Sequence, residues 1–130
     1  MSFEKSEFYY KLYGLNVKSE IKIDEFVPTE NSNYENAVSI KYSIMSEDIK
    51  ESIKNNKKAN FSKEEVWFYI DNVATYRVTN GNLIEFEPCE NADPYLLRVF
   101  LMCSCLGFIM IQRDIVAIHG GTIVIDNKAI

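Results

Sequence analysis

Asp93–Ile130, DPYLLRVFLMCSCLGFIMIQRDIVAIHGGTIVIDNKAI, is the stretch that decides how this 130-residue chain is read. Asp93 before Pro94 starts a helix, because an Asp side chain accepts orphan amide hydrogens of the first turn and proline loses nothing at the first helical position. From Tyr95 to Ile111 the only charge is Arg98, and apolar residues run all the way round. That is the pattern of a helix enclosed by other structure on most sides. Arg113 and Asp114 close it. Ile115 to Ile118 then predict a strand, His119-Gly120-Gly121 a turn, Thr122 to Asp126 a second strand, and Ile130 falls within a third. The helix approaches a membrane span in length. A bilayer core, however, needs about twenty mainly apolar residues, and Arg98 leaves only Val99 to Ile111 uninterrupted.

Upstream, the pattern is that of strands. Phe8, Tyr10 and Leu12 alternate with Tyr9, Lys11 and Tyr13, Gly14 breaks the run, and Leu15 to Ile23 resumes it. Asp24 to Asn36 reads as a loop around Pro28. Val38, Ile40, Tyr42 and Ile44 alternate with Ser39, Lys41 and Ser43, which predicts a strand with one wet face. Ser46 caps a short helix with Glu47 and Asp48 in its first turn, ending near Asn55. Lys57 to Ser62 reads as polar connection apart from Phe61. From Glu65 a meander follows, with turns at Asp71-Asn72 and Asn80-Gly81. Asn-Gly between alternating runs is a hairpin signal, since both residues tolerate positive φ. The fold expected is α+β: an antiparallel sheet packed on the long apolar helix, with residues 1–113 as one domain and 114–130 as the first strands of another.

Composition narrows the partners. A net charge of −5 argues against nucleic acid or an anionic membrane, because a phosphate surface demands a basic face. The lysines at 54, 57 and 58 read as a solvated loop. Cys89, Cys103 and Cys105 make no disulfide framework, and no N-terminal apolar stretch resembles a secretory signal, so a cytoplasmic setting is expected. Cys103 and Cys105, two apart on a helix, face opposite ways and cannot readily share a metal ion. Trp67, Tyr69 and Tyr76 read as packing residues of the meander.

Within these residues there is no glycine-rich phosphate loop, HExxH, CxxC or GxSxG. His119 is the single histidine, and two glycines after it let the backbone turn sharply or a ligand approach. It is the one candidate catalytic residue; no cofactor or metal ligand is assigned.

IQRDIVAIHGGTIVIDNKAI resembles the segment just before the phosphate-binding loop of HPr serine kinase-like proteins, where a strand pair bearing His-Gly leads into GxSGxGKS/T. Tyr13-Gly14-Leu15 with Ser19, the strand at Val38 to Ile44, the meander around Asn80-Gly81, and Ala92-Asp93-Pro94 before the apolar helix fit the same group. The resemblance implies an N-terminal accessory or substrate-recognition domain plus the first strands of a P-loop kinase core, with His119 near the phosphoryl-transfer site. ATP and Mg2+ would belong to the full-length serine kinase. The Walker lysine and its Ser/Thr are not among these residues, so no phosphoryl transfer is expected from this chain alone. The N-terminal part is unlike the accessory domain of the HPr kinase/phosphorylases, so HPr is not the expected substrate; the resemblance to related kinase-like proteins implies a peptide or small-protein serine as the alternative. The alternative reading is a standalone protein-binding or dimerisation module derived from such a kinase, pairing through its last strand. Apolar surface near Ile123, Ile125 and Ile130 is expected where a kinase core docks.

Overall fold

The computed structural model describes residues 7–29, 37–115, 124–125 and 128–129. Two strands, β1 (Phe8–Leu12) and β2 (Leu15–Ser19), form a hairpin across Tyr13 and Gly14, whose φ angles of 52° and 75° supply the twist a two-residue turn requires. Next come β3 (Val38–Tyr42), helix α1 (Glu47–Lys54), a short β4 (Ala59–Phe61) and the meander β5 (Glu65–Ile70), β6 (Ala74–Thr79) and β7 (Leu83–Pro88). Asn80 and Gly81, at φ 53° and 67°, turn β6 into β7 as the Asn-Gly signal requires. A single sheet holds all seven strands in the order β1-β2-β3-β7-β6-β5-β4. Separately, β8 (Val124–Ile125) pairs antiparallel with β9 (Lys128–Ala129).

The α+β class stands, but the sheet is mixed and not antiparallel throughout. β3 inserts between the N-terminal hairpin and the meander and runs parallel to both β2 and β7. Parallel neighbours need long connections. Residues 20–37 supply one, and α1 with the β4–β6 stretch supplies the other. Alternation along β3 predicts a strand with a wet face but carries no information about direction. A second difference is β4: the stretch expected as polar connection is an edge strand on β5, with Phe61 opposite Val66.

The apolar helix, α2, runs over Pro94–Gln112. It is α-helical over Pro94–Phe100 and Leu106–Gln112 and π-helical over Leu101–Cys105. The Asp93 side chain accepts from the Tyr95 amide at 2.8 Å, the predicted cap. Leu101, Cys105, Leu106 and Ile109 are fully buried against Val17, Val38, Ile40, Tyr76, Val78, Ile84 and Phe86, all also at zero exposure. In a regular α-helix, residues four apart drift by about 40° per step. The wider π turn removes part of that drift and keeps Leu101, Cys105 and Ile109 on the sheet. On the opposite face α1 lies over β5, where Met45, Ile49 and Trp67 form a small second core.

Candidate functional site

α2 departs from the enclosed helix that its sequence predicts. Only 28% of its most apolar stretch is buried, although length and composition alone would let it cross a bilayer. Its inner face belongs to the sheet core. The outer face carries Tyr95, Leu96, Cys103 and Ile111, all exposed, and Ile115 just beyond the helix is exposed too. All-round hydrophobicity arises because one side of the helix serves the sheet while the other faces outward.

Both ends of α2 are anchored. Near its start, Arg98, the one charge in the helix, holds Glu25 in a forked pair, Nε to Oε1 at 3.1 Å and Nη2 to Oε2 at 3.4 Å. The Arg98 hydrogen bond is the main reason the Glu25 carboxyl lies below the usual glutamate range. Tyr76, enclosed between Phe68 and Phe100, donates from its hydroxyl to the Leu97 carbonyl at 2.9 Å, and burial raises its pKa. At the far end, Gln112 clasps the β6–β7 turn. Its Oε1 accepts from the Gly81 amide at 2.7 Å, and its Nε2 donates to the Val78 carbonyl at 3.0 Å. Arg113 Nε donates to the Gly81 carbonyl at 2.5 Å. A Cβ on Gly81 would stand 2.9 Å from Arg113 Cγ, so Gly81 serves the turn and also the approach of the helix end. The sequence signal at Asn80-Gly81 announces the turn but not this clasp.

The outer sheet face holds charged and polar side chains. Arg77 bridges Glu65 at 2.6 Å and Glu85 at 3.1 Å across three strands, and these acids keep its guanidinium pKa raised. Over β2 and β3, an open depression of about 270 Å³ is lined by Lys18, Ser39 and Lys41, with Glu7 and Glu20 at its rim. Lys18 pairs with Glu7 at 3.1 Å. Hydrogen bonds from Tyr9 first, then from Lys18, lower the Glu7 pKa.

Trp67 lies under α1 and Tyr76 in the main core, so both are packing residues, as their strand positions predict. Cys103 and Cys105 do face opposite ways: Cys103 is exposed, and Cys105 is buried with its thiol pKa pushed up by desolvation. Among the described residues no group of three or more His, Cys, Asp or Glu side chains could hold a metal ion. His119, the candidate catalytic residue, lies outside the described residues, as do Ile123 and Ile130 and the side chain of Ile125. Comparison of the chain with protein-family models, curated proteins and solved structures gives no match.

Proposed function

We propose that this chain is the N-terminal accessory or substrate-recognition domain of an HPr kinase-like serine kinase, and that the outer face of α2 is where the kinase core packs. The observation that carries this reading is the exposed apolar face bearing Leu96, Cys103 and Ile111. It lies on the helix whose last residues begin the Ile111-to-Ile130 stretch on which the resemblance rests. An apolar face of this kind is costly to leave in water and is suited to burial against a second body. In that arrangement ATP and Mg2+ are held by the core, His119 stands beside the transfer site, and the sheet domain presents a peptide or small-protein serine. Alone, the chain transfers no phosphate, because positioning and charge neutralisation of the phosphoryl group come from the core.

The test is to read the coding sequence past the codon for Ile130. A GxxxxGK[ST] motif within about twenty codons is expected. A stop codon directly after Ile130 overturns the accessory-domain reading. The same exposed face also favours a second reading, a self-associating module. Light scattering on the purified chain separates the two: a stable dimer that Ile111→Ser converts to monomer supports self-association.

A further inference from the structure

The two edges of the seven-stranded sheet are finished differently. At the β1 edge the chain folds back over its own strand: Thr29 N donates to Tyr9 O at 2.9 Å, Lys11 N to Val27 O at 3.4 Å, and Pro28 bridges Tyr10. That edge is closed, and proline is a recognised guard against further pairing. At the β4 edge nothing comparable is present among the described residues. Tyr69 N donates to Lys58 O at 2.7 Å and Ser62 N to Glu65 O at 2.9 Å, which fixes the phase of the ladder. In an antiparallel pair only alternate residues bond inward. Lys58, Asn60 and Ser62 therefore face β5, while Ala59 and Phe61 turn their N–H and C=O groups outward.

The open edge adjoins an apolar seat. Phe61 is 64% exposed, its ring 5.7 Å from that of Phe108 on α2. A strand added to β4 would place alternate side chains on the Phe61 and Phe108 side. Charge selects what can be added. Lys58 and Lys63 are engaged by Asp71 at 3.2 Å and Asp114 at 3.3 Å, and Glu64 adds a further negative charge beside Lys63. Lys57, two residues before β4, has no ion pair among the described residues. A second copy is disfavoured in the register centred on Asn60. Antiparallel pairing of β4 with itself about Asn60 sets Lys57 of one copy opposite Lys63 of the other, and like charges directly opposed destabilise a pair.

We infer that β4 is a strand-addition site for an extended peptide segment with apolar residues at alternate positions and acidic residues at the end that reaches Lys57. Main-chain bonds to Ala59 and Phe61 hold the segment, the Phe61–Phe108 surface takes its apolar side chains, and Lys57 sets its direction. Strand addition at β4 uses the Phe61–Phe108 surface and requires no kinase core, so it is tested separately.

The probes are two fluorescein-labelled peptides, Ser-Val-Thr-Val-Thr-Glu-Glu and Ser-Val-Thr-Val-Thr-Lys-Lys, titrated against the full chain by fluorescence anisotropy. The acidic peptide is expected to saturate with a Kd below about 500 μM, and the basic one to bind at least about tenfold more weakly. Ala59→Pro removes an outward N–H without touching the Asn60 ladder and weakens the acidic peptide at least about tenfold. Phe61→Ser, which removes the apolar seat and leaves the backbone alone, is the second variant should Ala59→Pro fail to fold. Amide exchange should show new protection at Ala59 and Phe61. The inference is overturned by an absence of saturable binding up to about 1 mM. Equal binding to the two peptides, unaltered binding by a folded variant, or protection at the β1 edge overturns it as well.

Discussion

Replacing Leu106 with Ala and, separately, Ile111 with Ser tests whether α2 is buried on one side only. Leu106 has no exposed surface and belongs to the main core, whereas Ile111 is 56% exposed. Full burial of a Leu or Ile side chain contributes about 1.5–3 kcal/mol. For Leu106→Ala the lost transfer energy adds to the cavity left behind, so about 3–5 kcal/mol is expected. For Ile111→Ser less than half of the side-chain burial is at stake, which limits the cost to about 1 kcal/mol. With a urea slope of about 2 kcal/mol/M, Leu106→Ala lowers the unfolding midpoint by roughly 2 M and Ile111→Ser by no more than about 0.5 M. Equilibrium urea unfolding followed by Trp67 fluorescence reads both. Comparable shifts for the two variants would falsify the one-sided burial of α2, and with it the contact surface assigned to its outer face.

The Gln112 clasp predicts that Gln112→Ala lowers stability by about 1–2 kcal/mol, because the Gly81 amide and the Val78 carbonyl both lose their side-chain partner; an unchanged denaturation midpoint would show that the clasp contributes nothing. Tyr76→Phe removes the donor to Leu97 from the core and should cost about 0.5–1.5 kcal/mol, read as a fall of a few degrees in Tm, with near-ultraviolet circular dichroism reporting that packing is kept. Glu25 and Glu7 both have lowered folded pKa values, so each binds its proton more readily in the unfolded chain. Their contribution is complete above the ordinary glutamate range and is lost as pH falls below that range through the folded values. Glu25→Gln should therefore flatten the acid limb of a stability-against-pH curve, and an identical limb in the variant would argue against a stabilising Arg98 pair.

Local signals in the sequence correspond to local events, and the differences arise where the outcome depends on residues far apart in the chain. Ser46 and Asp93 cap helices because a cap is decided within three residues, and Asn80-Gly81 turns because its own φ angles demand it. The parallel placement of β3 is different in kind: it depends on two long connections, and an alternating VSIKY reads the same in either direction. β4 is hidden for a related reason, since three residues among lysines and asparagines become a strand only when β5 is beside them. The apolar helix shows how composition and burial separate. Apolar residues on every side predict enclosure, yet the described part of the chain offers one sheet face, and that face is fully used by Leu101, Cys105, Leu106 and Ile109. Leu96, Cys103 and Ile111 are thus apolar in sequence yet exposed among the described residues, and it is on this mismatch, not on any single polar side chain, that the proposed packing of a second body on α2 rests.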